Sequence, residues 1–175
     1  SNLGNLDLSE KKYREIIRCK TALLFEAATH SAALLSCPDE TEKPMLDDLR
    51  KFGLHFGVAY QLIDDWLDYA GDSGTMGKNT GDDLAEGKMT LPLILALQNA
   101  TEREQACLSN AIRNRSTSEA TRVVEIVNNS GALELTRKSA MEEIQRARET
   151  LRHIEASVYK SHLETLTESS LKRLR

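Results

Sequence analysis

Three aspartates at the end of one apolar run, Asp64, Asp65 and Asp68, are the residues whose type and spacing most directly suggest chemistry. A helix advances about 100° per residue, so Asp64 and Asp68 share a face and Asp65 lies one step further round. Three carboxylates projecting from about one turn repel one another unless a cation intervenes. Hard oxygen donors of this kind suit Mg²⁺, which keeps several waters and usually takes substrate phosphates as further ligands. The same stripe runs back through Gln61, Gly57 and Gly53, beside an apolar face that includes Phe52, Phe56, Ala59, Tyr60, Ile63 and Leu67. The two glycines take side chains away from that flank, which lets another helix or a long substrate approach closely. A solvated acidic helix end is the alternative these residues leave open.

Two further features belong to the same chemistry. Lys20, followed by Thr21, falls in the middle of an apolar stripe made by Tyr13, Ile17, Leu24, Ala27, Ser31 and Leu35. A buried ammonium is costly without a partner, so either an anion meets Lys20 or the side chain snorkels to solvent. The run Gly77-Lys78-Asn79-Thr80-Gly81-Asp82-Asp83-Leu84-Ala85-Glu86-Gly87-Lys88 comes after the acidic helix end and lacks the spacing of a Walker A loop. Lys78 and Lys88 are mobile point charges that suit a phosphate, although a plain surface connection needs the same residues. Asp82 and Asp83 are either partners of the acidic group or helix caps. Together the three features describe an amphiphile with a diphosphate head and a hydrocarbon tail. Metal ions and ammonium groups would stabilise the charge on departing diphosphate and so favour ionisation of a carbon–oxygen bond.

The elements that must position these residues read as helices almost throughout. Only three prolines occur in 175 residues, and no β-branched alternation is present. One helix is expected from about Ser9 to Ser36, and a second from just after Thr41 to Ala70, with Pro44 in its first turn. The segment from Gly71 to Thr90 holds five of the nine glycines and reads as a loop. Shorter helices start at Leu91, at Thr101 with a Thr101-x-x-Glu104 capping box, and near Ser116 with Ser116-x-x-Glu119. After a break at Asn128–Gly131, an amphipathic helix carries Ala140, Ile144, Ala147, Leu151, Ile154 and Val158 on one face. A last helix closes near Leu171. With no repeat or linker, residues 1–175 read as one all-α, bundle-like assembly.

Composition narrows the function classes. Apolar residues make up 40% and charged residues 29%, the balance of a globular chain that can offset its ordering entropy. A net charge of −4 offers no basic excess for a nucleic acid. The longest apolar run, Leu91 to Leu97, is far below the ~20 residues of a membrane span. No secretory signal opens the chain, which points to the cytoplasm. Cys19, Cys37 and Cys107 are odd in number and form no C-x-x-C pair, so neither a disulfide framework nor a zinc site is expected. The four histidines read as ordinary packing or surface residues.

Tyr60-Gln61-Leu62-Ile63-Asp64-Asp65-Trp66-Leu67-Asp68-Tyr69, together with Gly81-Asp82-Asp83-Leu84-Ala85-Glu86-Gly87-Lys88-Met89-Thr90-Leu91-Pro92, resembles the C-terminal half of a trans-type polyprenyl diphosphate synthase. The look is nearest the bacterial long-chain type, such as octaprenyl diphosphate synthase. Arg18-Cys19-Lys20-Thr21-Ala22-Leu23-Leu24-Phe25 resembles the family's lysine–threonine helix. The resemblance implies an all-α bundle of the isoprenoid synthase type and head-to-tail condensation of an allylic diphosphate with isopentenyl diphosphate. It implies Mg²⁺ held by Asp64, Asp65 and Asp68, the second of two aspartate-rich motifs. It places Lys20 and Lys78 on the allylic diphosphate, Thr21 and Gln61 as oxygen dipoles beside the allylic cation, Tyr60 next to the growing chain, and Lys88 at the closing loop. Departing diphosphate would remove the final proton. A homodimer and a quinone side-chain product, as in ubiquinone biosynthesis, are further implications.

Family chains are close to double this length and carry another D-D-x-x-D earlier, which this sequence does not contain. The expectation is therefore a fragment holding half an active site, inactive by itself and prone to self-association through apolar surface that upstream helices would cover. Two rivals stand beside it. A non-catalytic subunit of the same fold would have no need of the Lys-Thr, Gln-x-x-Asp-Asp and Gly-Lys elements together. A class I terpene cyclase would pair D-D-x-x-D with a later Asn/Ser/Glu metal motif, and none is evident.

Overall fold

The computed structural model describes residues 3–36, 43–70 and 82–174, and every regular element among them is helical. The helices are α1 (Glu10–Ile17), α2 (Leu23–Ser36), α3 (Lys43–Ala70), α4 (Asp82–Ala85), α5 (Leu91–Asn99), α6 (Glu102–Asn114), α7 (Ala120–Asn129), α8 (Ala132–Thr150) and α9 (Val158–Lys172). They fall into two compact units. One comprises Ser1–Arg14 with Asp64–Lys138, the other Glu15–Ile63 with Ser139–Arg175. No helix among the described residues is long and apolar enough to cross a membrane.

In the first unit, α5 packs on α6 and α7 around Leu91, Leu93, Ile94, Leu108, Ile112 and Ile126, all buried. Pro92 sits in the first turn of α5, where its missing N–H costs nothing. α6 opens on the expected capping box: Thr101 Oγ1 accepts from the Glu104 N–H, and the Glu104 carboxylate accepts from the Thr101 N–H at 3.0 Å. The helix stops at Arg115, whose φ of 49° is left-handed. Ser116 makes no capping bond to the next helix; its hydroxyl meets Ser118 instead, a 3₁₀ turn fills Thr117–Glu119, and α7 starts later than expected. Within the stretch read as a loop, Asp82–Ala85 forms the single turn of α4.

In the second unit, the first expected helix is interrupted. Arg18–Ala22 forms a π-helical turn between α1 and α2. A π turn carries an extra residue, so it rotates α2 away from the register that an unbroken 3.6-residue period would give it. The buried positions accordingly step from Tyr13 and Ile17 to Ala22 and Ala33, and not to Leu24 and Leu35. Those two leucines, read as core, are 74% and 88% exposed. Lys20, expected at the centre of the apolar stripe, lies exposed in the turn.

α3 keeps its expected bounds, but its buried face is turned slightly. Tyr60 is 41% exposed, while Leu62 and Tyr69 join Phe52, Phe56, Ala59 and Ile63 in the core. The face read through Val158 also breaks early. α8 stops at Thr150, a 3₁₀ turn covers Leu151–His153, and Ser157 caps the start of α9 by accepting the Lys160 N–H at 3.2 Å. Val158 is exposed.

Candidate active site

The acidic end of α3 lies in the first unit, and each of its aspartates has a different environment. Asp65 is almost fully buried and accepts a hydrogen bond from the Tyr13 hydroxyl of α1. Asp68, also buried, accepts the backbone N–H of Asp83 at 3.2 Å, in the turn of α4. Asp64 is half-buried. Burial, and after it repulsion from the Asp83 carboxylate, pushes Asp68 up to about 6. Asp83 is pushed up as well, first by burial and further by Asp64, against the pull of Lys88. Lys88 is raised in turn, first by Glu86, and its ammonium lies 3.3 Å from Asp83 and 2.5 Å from Glu86.

The group fits a hard divalent cation by donor chemistry, because the repulsion between Asp68 and Asp83 and their raised affinity for protons are what a nearby positive charge relieves. Among the described residues, no three His, Cys, Asp or Glu side chains converge closely enough to hold a metal by themselves. Asp83, one of two residues that sequence reasoning left between partner and cap, is a partner: its N–H meets Asp68 and its carboxylate meets Lys88. Lys78, Gly77 and Gly81 lie outside the described residues.

The second unit holds the polar pair expected beside a cation. Thr21 Oγ1 donates to Gln61 Oε1 at 2.8 Å, across from the π turn to α3. The two helices meet through glycine. A Cβ on Gly57 would lie 2.7 Å from Ala22 Cα, and one on Gly53 would lie 2.5 Å from the Phe25 carbonyl oxygen. The stripe Gly53-Gly57-Gln61 is therefore occupied by a helix of the same chain. Tyr60 packs its ring against Phe25, centroids 5.5 Å apart, and the Arg173 guanidinium lies 5.8 Å from the centre of the Tyr60 ring. Elsewhere in this unit His55, read as ordinary, shares the buried Glu143 with Arg146, both at 2.8 Å.

Sequence reasoning missed Tyr13, which it placed on an apolar face. A phenol is apolar over most of its surface, and the signal for its hydroxyl was the need of a buried carboxylate for a donor.

Comparison with known proteins supplies the context for this geometry. The polyprenyl synthetase family model matches residues 1–130. The all-trans-nonaprenyl-diphosphate synthase (geranyl-diphosphate specific) of Rhodobacter capsulatus is 45% identical over 168 residues, covering 96% of this chain and 50% of that protein. The octaprenyl diphosphate synthase of Escherichia coli K12 is 41% identical over 148 residues, covering 83% and 45%. A crystal structure of a polyprenyl synthase from Caulobacter crescentus CB15, complexed with calcium and isoprenyl diphosphate, superposes with a TM-score of 0.84 at 39% identity, covering 97% of this chain and 51% of that one. The chain spans about half the length of the curated relatives it matches.

Proposed function

This chain belongs to the polyprenyl synthetase family, and we propose that it supplies the C-terminal half of a long-chain prenyltransferase, residues 1–175 forming part of a single all-α catalytic domain. The proposed reaction joins an allylic diphosphate to isopentenyl diphosphate and repeats in the all-trans sense. An octaprenyl-like product for a quinone side chain, a homodimeric full-length enzyme and a cytoplasmic location complete the reading. The observation that carries it is the crowding of carboxylates at the end of α3, where Asp68 is buried against Asp83 and pushed up to about 6.

Mg²⁺, when bound, would neutralise the charge that develops on the leaving diphosphate. Asp64, Asp65 and Asp68 form the acidic group assigned to it, whose negative charge would attract the ion. Lys20, exposed on the π turn, is assigned to the allylic diphosphate together with Lys78. Lys88 joins them by exchanging its carboxylate partners for phosphate oxygens. Heterolysis of the allylic carbon–oxygen bond leaves a cation and diphosphate. The Gln61 carbonyl oxygen, oriented by the Thr21 hydroxyl, turns the negative end of a dipole toward that cation. The double bond of isopentenyl diphosphate attacks the cation and forms a carbon–carbon bond. The tertiary cation that results loses a proton to the departed diphosphate, which restores a double bond. Tyr60, half-exposed beside Phe25, flanks the growing chain.

The test is a radiolabel assay of the full-length gene product with farnesyl diphosphate and isopentenyl diphosphate, with Mg²⁺ or with chelator. Metal-dependent formation of a long all-trans product is expected, with no turnover from residues 1–175 alone. Absence of chain elongation by the full-length protein at saturating Mg²⁺ refutes the reading.

A further inference from the structure

Of the three aspartates at the end of α3, Asp65 is the most enclosed, at 2% exposure, and its partner Tyr13 is 3% exposed. The two are 52 residues apart in sequence and come from different helices, α1 and α3. A buried carboxylate is costly unless hydrogen-bonded, and a buried phenol has one proton to donate, so each group meets the other's requirement. A side chain held in this way sets the rotation of its own helix end. Asp64 precedes Asp65 directly and Asp68 comes less than a turn after it, so the bond also fixes the direction in which those two carboxylates point.

We propose that Tyr13 is a positioning residue for the acidic group, acting through Asp65: its hydroxyl anchors that carboxylate in the interior and leaves Asp64 and Asp68 to face the cation. The proposal rests on the metal–diphosphate reading of the proposed function. It divides one motif into an anchor and two ligands, and it brings in a residue outside the motif. Outer partners of this kind commonly change metal affinity by about 10- to 100-fold when removed.

The experiment uses the full-length gene product and measures Mn²⁺ affinity by electron paramagnetic resonance with inorganic pyrophosphate present, alongside melting temperature and kcat. Tyr13→Phe keeps the ring and removes only the hydroxyl; Mn²⁺ binding is expected to weaken about tenfold, with kcat falling and KM for isopentenyl diphosphate unchanged. Asp65→Asn keeps an acceptor oxygen for the hydroxyl and is expected to hold Mn²⁺ within about threefold of wild type, whereas Asp64→Asn loses more than about tenfold. In the variant carrying both Tyr13→Phe and Asp65→Asn the two effects are expected to be less than additive, as for residues acting through one contact. If Tyr13→Phe lowers the melting temperature but leaves Mn²⁺ affinity untouched, the tyrosine is structural only and the proposal falls. It falls as well if Asp65→Asn loses as much metal as Asp64→Asn. A wild-type protein that binds no Mn²⁺ with pyrophosphate overturns the functional reading itself.

Discussion

At the acidic end of α3, polar groups are held by other polar groups; around Gly53 and Gly57, a polar pair is held by backbone contact. Asp65 and Asp68 take their positions from a phenol and an amide N–H, and their charges work against burial. Thr21 and Gln61 meet because two glycines let the π turn and α3 approach within van der Waals distance. The first arrangement stores repulsion that a bound cation would release. The second stores nothing, and it tolerates no added methyl group. A place for charge and a place for a dipole are thus built by opposite means, and they should respond differently to mutation, pH and metal.

The largest effect is expected where charge is removed from the first region. Asp64→Ala in the full-length enzyme should cost about 10²- to 10³-fold in kcat, comparable with the loss of one electrostatic contact to a transition state. Steady-state assays at saturating Mg²⁺ measure this, and a loss under threefold breaks the comparison at its first term. Gly53→Ala should cost stability of about 1 to 3 kcal/mol by overpacking, since the new methyl meets the Phe25 carbonyl at 2.5 Å. Denaturant midpoints read that loss, and the deficit should be the same with and without Mg²⁺.

Asp68→Asn separates the two regions most directly. Its raised carboxyl means that the folded protein binds more protons than the unfolded one between pH 3.8 and about 6, so stability falls as pH rises through that window. In chelator at pH 8, Asp68→Asn should therefore stabilise the protein, on the order of 2 kcal/mol, while lowering the activity measured with Mg²⁺. Near pH 4 the gain should vanish, and an equal gain at both pH values would show that charge is not its source. The smallest effect belongs to a site in neither region. Thr101→Ala removes the cap of α6 and should cost about 1 kcal/mol with kcat unchanged.

Much of this architecture is legible in the residues themselves. α3 is expected from just after Thr41 to Ala70 and runs Lys43–Ala70, because its apolar spacing and its first-turn proline agree. The Thr101–Glu104 box is readable because both partners are local in sequence. Ser116-x-x-Glu119 has the same spelling and fails, since a 3₁₀ turn intervenes and places Glu119 before the helix. The π turn is not legible: periodic reading assumes 3.6 residues per turn, and Leu24 and Leu35 continue an apolar stripe in the sequence across the interruption. At the site, the aspartates are singled out by residue type, whereas Thr21 and Gln61 come only from the resemblance and their mutual hydrogen bond is not legible. Tyr13 escapes because a side chain's partner 52 positions away leaves no mark on local spacing.

The π turn has a consequence for how this segment can change. A helix that holds one surplus residue in a single turn is equivalent to a continuous α-helix with a one-residue insertion. Deleting any one position of Arg18–Ala22 would close the turn into regular helix and swing everything on its far side by about 100°. Tyr13 would then leave Asp65, or Phe25 and Thr29 would leave Gly53. A substitution leaves that register in place and a change of length does not, so the count of this stretch is expected to be held even where its spelling is free, at the exposed Arg18 and Cys19.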